Sequence, residues 1–481
     1  MTNSPRQLSK TVNHARVYAL GTVLRNVVSF LMLPIYTRYL SPADYGTIEL
    51  MSMLLDIVGL IVGLRVEDAI FKFYHQVKTP GEQRLVISNA LVAAVVSNLI
   101  GTIFILIFSG PLTILMFGDD THRNLTAIFG LTLMLQSLAI IPMAYIRVQQ
   151  RPWLYIGLSL LRVVLQLSLN IYLVVVKDMK VEGVVYSAVI STFVIGAVSL
   201  VYLYRHVGFA TDRVLMRGML NFSFPLVLAS IASFYSAYGD RYFLRIYDDL
   251  TDVGIYSLAY KFGFLLVALV WDPFTKSWDV RRYELLANPD TDETYNDNFM
   301  VMIGALIFGG LGIAIFLDEI LMIMSSPEYW PAASVAPIIL LAYVVQQAGS
   351  FNCFPIFARG DTKDIAKGHW ICAVVITIGY LTLIPRYGMY GAAWSTLGGF
   401  LAYFTWIIYK GRPLLDMKLS WNKAALLLAF AILLYLISLL IGGPIYLRIA
   451  GKVVLACLYA AVFWLSAGGL QRHMMLSFFR K

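Results

Sequence analysis

Apolar runs of bilayer length, separated by brief polar punctuation, fill this chain from near its start to near its end. Fourteen are legible, at 17–39, 46–64, 85–109, 124–146, 153–176, 183–204, 218–239, 254–271, 299–317, 334–357, 367–385, 389–409, 423–441 and 447–468. A helix needs about 20 such residues to cross the hydrocarbon core. Backbone polar groups in lipid must be paired within the segment, so open strands are excluded. The pattern therefore predicts an all-α polytopic membrane protein with about 14 transmembrane helices. Composition agrees: 59% of the 481 residues are hydrophobic and 14% are charged, against about 45–50% and about 25% in soluble domains. An ordinary soluble enzyme, a disordered tail and a nucleic-acid binder are excluded. The longest loop, about residues 272–298, is too short for a separate folded domain, which argues against an enzyme with extramembrane chemistry.

The net charge of +9 raises the question of nucleic acid, and the distribution of Lys and Arg answers it. With the N-terminus in the cytoplasm, the cytoplasmic segments carry about 25 Lys and Arg and the opposite side about 9. Loop Lys and Arg stay inside and face an anionic leaflet. Both termini are thus expected to be cytoplasmic, with no nucleic-acid partner. Met1–Arg16 is polar and basic, so the first helix is expected to act as the start-transfer segment. Cys353, Cys372 and Cys457 all lie in apolar runs, and no HExxH spacing occurs among the six histidines. Neither a disulfide framework nor a metal site is expected, and no cofactor.

Two halves of the chain overlay. Asp44-Tyr45-Gly46-Thr47 and Asp252-Val253-Gly254-Ile255 open the second and eighth runs at an offset of 208. Gly183-Val184-Val185-Tyr186-Ser187 and Gly391-Ala392-Ala393-Trp394-Ser395 open the sixth and twelfth at the same offset. Pro142…Arg147…Arg151 and Pro355…Arg359…Lys363 match at an offset near 212. Six helices per repeat is an even number, so the halves are parallel, as in transporters whose substrate site lies near the midplane between repeats. The expected organisation is a six-helix lobe at 1–210, a second at 211–412, and helices thirteen and fourteen with a tail at 413–481. These last two helices hold few polar groups, which suits lipid contact or packing.

An ionisable residue inside a span costs about 2.5–3.5 kcal/mol at the helix centre and marks a function by default. Arg25, Asp56, Arg162 and Lys261 each fall roughly 12–16 Å from a helix end at 1.5 Å per residue. Three cations against one anion leave a positive layer that wants an anionic ligand, and arginine forks suit phosphate oxygens. Arg25–Asp56 is also the most natural internal pair. Arg65-Val66-Glu67-Asp68 closes the second run and reads either as interfacial charge or as a cytoplasmic gate. Asp240-Arg241, at the outer end of the seventh, could gate the other face. Pro34, Pro142, Pro225 and Pro355 lie within spans, where proline marks kinks.

Leu33-Pro34-Ile35-Tyr36-Thr37-Arg38-Tyr39-Leu40-Ser41-Pro42-Ala43-Asp44-Tyr45-Gly46 resembles the opening of the polysaccharide transporters, which include the Wzx-type flippases. Asp252–Lys261 resembles the opening of that family's second half. The resemblance implies two six-helix lobes, a central cationic cavity and movement of an undecaprenyl-pyrophosphate-linked oligosaccharide, an O-antigen or exopolysaccharide repeat unit, to the periplasmic leaflet by alternating access. By the family pattern Arg25 and Lys261 carry over best and Arg65 loosely; Arg162 joins them on its position. Asp56, Glu67 and Asp68 are candidates to couple transport to protons or sodium. Membrane lipids, a glycan polymerase and a chain-length regulator are the expected partners. No Walker sequence occurs, so no ATPase of that kind is expected. The rival readings are a multidrug-type exporter of the same fold, which would favour acidic cavities, and a membrane glycan polymerase or ligase.

Overall fold

A computed structural model of the chain describes residues 30, 32–285, 291–359, 363–414, 418–468 and 471–472. In chain order the first helices are α1 (Leu33–Tyr39), α2 (Pro42–Val62), α3 (Val66–Gln76), α4 (Pro80–Ile107), α5 (Ser109–Phe117), α6 (Arg123–Val148), α7 (Pro152–Asn170), α8 (Lys180–Val207) and α9 (Arg213–Tyr247). There follow α10 (Leu250–Leu266), α11 (Asp272–Leu285), α12 (Thr291–Met324), α13 (Ala332–Phe351), α14 (Phe354–Arg359), α15 (Lys363–Gly411), α16 (Trp421–Leu439) and α17 (Ile445–Ser466). Wide π turns extend α7 over Ile171–Val176 and α10 over Val267–Trp271. Among the described residues there is no strand, and 12 helical stretches are long and apolar enough to cross a membrane. The chain is an all-α polytopic membrane protein.

The twelve stretches reconcile with the fourteen expected runs at two places. Most of the run at 17–39 lies outside the described residues, and its end is α1. The runs at 367–385 and 389–409 merge into α15, whose 49 residues would extend roughly 74 Å if straight, far beyond a core about 30 Å thick. Gly388, at φ +51° and ψ −130°, breaks that path. Only glycine adopts such a left-handed conformation without steric cost.

Local chemistry sets the other boundaries. Ser41 caps α2: the Asp44 amide donates to the Ser41 hydroxyl at 3.2 Å, and the Ser41 amide donates to the Asp44 carboxylate at 3.1 Å. Pro42 then occupies the first turn, where its missing N–H has no cost. Thr79, Pro80 and Glu82 repeat this capping box at α4. The helix thus starts four residues before the expected 46, because the cap and not the apolar pattern marks the true start. The expected stop at 64 is also corrected. The chain kinks through Leu64 and Arg65 and resumes as α3, so Pro42–Gln76 is one candidate span. Pro142 and Pro225 lie inside α6 and α9, whereas Pro34 and Pro355 lie in the first turns of α1 and α14.

The chain clusters into two compact units. One runs to Arg245 and takes in Asp249–Gly254; the other comprises Ile246–Asp248 and the chain from Ile255 onward. The first is knit by small and aliphatic residues, with Ala69, Ala90, Ala94 and Ala144 buried beside Val66, Ile70, Leu91 and Ile141. Small residues let helices approach closely where lipid supplies no hydrophobic drive. In the second, rings do this work: Trp278 stacks on Phe351 at 5.1 Å, and Tyr295 and Phe354 extend the stack.

Positions related by the 208-residue offset make matching contacts. A Cβ added to Gly46 would strike the Leu250 carbonyl, and one added to Gly254 would strike the Pro42 carbonyl. Pro42 and Leu250 are themselves 208 apart, so the contact is reciprocal. Both positions need glycine because backbone meets backbone there. Asp249, the offset partner of Ser41, accepts from the Asp252 amide at 2.9 Å, as Ser41 accepts from Asp44.

Candidate functional site

The kink between α2 and α3 builds the wall of a cavity within the first unit. Leu64 and Arg65 adopt φ of +52° and +46°, a left-handed conformation that costs a non-glycine residue about 1–2 kcal/mol. Such strain persists only where neighbours over-determine it. Here Arg65 Nε donates to Asp68 Oδ2 at 2.6 Å and Arg65 Nη1 donates to Ser230 Oγ on α9 at 2.6 Å. The Ser223 hydroxyl, also on α9, donates to the Arg65 carbonyl at 3.3 Å. The kink turns Arg65 and Glu67 toward a space of about 300 Å³ lined also by Asp56, Asn98, Gln136 and Ser137.

The ions of this cavity remain accessible. Asp56 is exposed although α2 around it is apolar. The Arg65 and Asp68 side chains are 42% and 29% exposed. Glu67 lies 3.7 Å from Arg147 of α6, whose guanidinium also sits 4.8 Å from the Phe71 ring. A charged group left open inside an apolar span implies a water-filled lumen. The cavity lining offers one guanidinium and two carboxylates, with amide and hydroxyl groups between them. That set can hold a polyhydroxylated ligand and can bind or release a cation.

A second cluster in the same unit is sealed. Arg241 and Asp240 side chains are 0% exposed and Glu49 of α2 is 12% exposed. Arg241 Nη1 donates to Asp240 Oδ1 at 2.9 Å and to the Ala237 carbonyl at 3.0 Å. Arg241 Nε lies 3.9 Å from Glu49 Oε2, and the guanidinium lies 4.9 Å from the Tyr238 ring. Two carboxylates and a ring face meet the charge of one buried guanidinium. Arg245 donates to the Phe117 carbonyl.

The structure therefore brings Asp56, Arg65, Glu67 and Asp68 together, and Asp240 with Arg241. Arg25 lies outside the described residues. Arg162 is half-buried on α7, in a span only 11% buried, and is not one of the residues lining this cavity. Lys261 is half-buried on α10 in the second unit. Sequence reasoning missed Glu49, although an acid seven residues into an apolar helix was itself a signal. It also missed Glu319, which pairs with Lys452: the run expected to end at 317 stopped just before it. Among the few polar groups of helices thirteen and fourteen, Lys452 is buried, and its Nζ donates to Glu319 at 2.7 and 2.8 Å.

Comparison with known proteins bears on this all-α membrane fold, whose first unit holds an open, charged cavity. Residues 12–278 match the model of the family described as polysaccharide biosynthesis protein. The chain belongs to that family. No protein with a curated function matches it at the sequence level. Among solved structures, it resembles a lipid II flippase, MurJ, in an inward closed conformation, with a TM-score of 0.75 and 13% identity over 93% of this chain and 98% of the other. It resembles an inward-facing multidrug resistance MATE family transporter of the MOP superfamily, with a TM-score of 0.67 and 15% identity over 84% and 99%. A Vibrio cholerae MATE transporter, VcmN, gives a TM-score of 0.55 at 13% identity over 85% and 99%. At these identities the likeness is one of fold. These three structures are of one flippase and two transporters.

Proposed function

We propose that the protein is a flippase that moves an undecaprenyl-pyrophosphate-linked oligosaccharide from the cytoplasmic to the periplasmic leaflet of a bacterial inner membrane, by alternating access. The observation that carries this reading is the family match over residues 12–278, on a fold otherwise seen in lipid and drug transporters. In this reading Arg25, Arg162, Lys261 and Arg65 hold the pyrophosphate, for which guanidinium forks and an ammonium are suited. The sugars cross in the wet interior and the polyprenyl tail stays in lipid. Asp56, Glu67 and Asp68 couple the cycle to protons or sodium, and Asp240 with Arg241 gates the outer side. A glycan polymerase and a chain-length regulator would receive the product.

The test is transport in proteoliposomes carrying a fluorescent lipid-linked oligosaccharide, read by the fraction protected from an added reducing agent. Wild-type protein is expected to move the label between leaflets unchanged in mass. Arg25→Ala and Lys261→Ala are expected to abolish movement at normal protein levels, and Arg162→Glu to be worse than Arg162→Ala. Normal transport by both alanine variants would sink the cationic-site reading, and a chemically altered product would make the protein an enzyme.

A second reading has one observation in its favour. The cavity in the first unit is lined by two carboxylates and one guanidinium, a balance suited to a cationic drug. Export of a lipophilic cation by the same proteoliposomes, lost in Asp56→Asn, would support a multidrug exporter instead.

A further inference from the structure

The second unit holds a cavity that the proposed transport does not use. Four helices meet there: α12 two to three turns before its end, α13 at its first turn, α16 at its last turn and α17 two turns past its start. The space is about 350 Å³ and is lined by Asp318, Trp330, Ser334, Tyr435, Ser438 and Lys452, among others. Its volume falls in the range of about 300–1,000 Å³ typical of small-ligand sites.

The charges around it are arranged in depth. Glu319 and Lys452 side chains are each 5% exposed and bonded to one another. Arg448 Nε lies 4.0 Å from Glu319 and is buried with no hydrogen-bond partner. Asp318, by contrast, is 54% exposed and its carboxylate reaches Lys452 only at 4.0 Å. Two cations and two anions make the cluster neutral, so a ligand carrying a single charge gains little net attraction. The charges are nevertheless separated, with Asp318 open to the space and the cations behind. A ligand with a positive and a negative group complements both ends.

Three features specify that ligand further. Hydroxyls of Ser334, Tyr435 and Ser438 line the same space as Asp318; Ser438 donates to the Tyr435 carbonyl and keeps its lone pairs free to accept. Acceptors of this kind serve an ammonium bearing N–H groups. Asp318 stands six residues before Met324, roughly 9 Å from the end of α12, and Trp330 and Tyr435 flank it as interfacial aromatics do. The cavity thus lies at headgroup depth. Its wall continues through Leu439, 59% exposed, to Leu440, 84% exposed, an apolar path for acyl chains.

We propose that this cavity binds a zwitterionic phospholipid with a primary-ammonium headgroup. The ammonium sits against Asp318, Tyr435 and Ser438, and the phosphate lies toward Lys452 and Arg448. The lipid joins α16 and α17 to α12 and α13 at one membrane face.

The test uses the full chain, purified and stripped of lipid. Phosphatidylethanolamine, phosphatidylcholine, phosphatidylglycerol and water-soluble glycerophosphoethanolamine are each titrated, with binding read by native mass spectrometry. Phosphatidylethanolamine is expected to bind at least about tenfold tighter than the other three. Asp318→Asn, at an exposed position that folding tolerates, is expected to remove that preference while leaving phosphatidylcholine binding unchanged. Ser438→Ala is expected to lower it about threefold, and it serves should Asp318→Asn fail to fold. Equal binding of phosphatidylethanolamine and phosphatidylcholine, or an undiminished preference in both variants, would overturn the proposal. Equally tight binding of the soluble headgroup would overturn its assignment to a membrane lipid.

Discussion

The cavity of the first unit and the ion pair of the second both place charge inside apolar helices, and they treat it oppositely. At Glu319–Lys452 the side chains are 5% exposed and the carboxylate takes two bonds from one ammonium. Around Asp56, Arg65 and Glu67 the groups stay accessible whether the partner is close, as Asp68 is to Arg65 at 2.6 Å, or distant, as Arg147 is to Glu67 at 3.7 Å. Sealing a charge demands a full complement of partners, because an unpaired buried ion is expensive. Leaving it wet removes that demand and keeps the group available to a ligand. Charge count alone therefore does not separate structural from functional ions in a span; accessibility does.

The sharpest way to break this contrast is to remove one half of the sealed pair. Lys452→Met takes both hydrogen bonds from the buried Glu319 and leaves it only the 4.0 Å contact of Arg448 Nε, which should cost up to about 3–5 kcal/mol. Adding Glu319→Leu should recover most of it, since an apolar pair of similar volume often replaces a buried ion pair without loss. Thermal midpoints in detergent read both changes. A single variant as stable as wild type would mean that water reaches Glu319 and that the two regions are alike.

A second test compares glycines. Gly254→Ala places a methyl group on the Pro42 carbonyl in the first unit, and such overpacking costs about 1–3 kcal/mol. Gly312 of α12 in the second unit has open space around it. There alanine should instead stabilise the helix by about 0.5–1 kcal/mol. The same detergent melts decide it. Matching losses at both positions would show that the close contact at Gly254 is not what requires glycine.

The fold was largely legible because it is written in long-range statistics. Run length gave the spans, and the repeat offset found Gly46 and Gly254, which do contact each other. Boundaries were missed where a local cap or kink overrode the apolar pattern: Ser41 started α2 early, and Leu64–Arg65 bent the chain without ending the span. Along the sequence Asp56 reads as a midplane charge and Arg65 and Glu67 as a separate cluster at the helix end, yet all three line one cavity. Pairing between helices was not legible. Nothing in the one-dimensional pattern says that Lys452 meets Glu319, 133 residues away, or that Glu49 faces Arg241. Lys452 lies seven residues past the start of α17, and depth along one helix says nothing about which side chain faces it.

The smallest effect on stability is the most informative about the wet region. Arg65 is 42% exposed and Asp68 29% exposed, so solvent screens their pair and its loss should cost below about 1 kcal/mol. The guanidinium also reaches Ser230 at 2.6 Å, but the Ser223 bond to the Arg65 carbonyl holds the kink's backbone without the side chain. Arg65→Ala should therefore leave the melting curve nearly unchanged while lowering transport about tenfold or more. Arg65→Lys keeps the charge, but a single ammonium lacks the planar fork that serves Asp68 and Ser230 together. It should fall between the two in transport and match wild type in stability. If Arg65→Ala instead melts several kcal/mol early, Arg65 is a structural clamp on the α2–α3 kink, and its exposed charge says nothing about cargo.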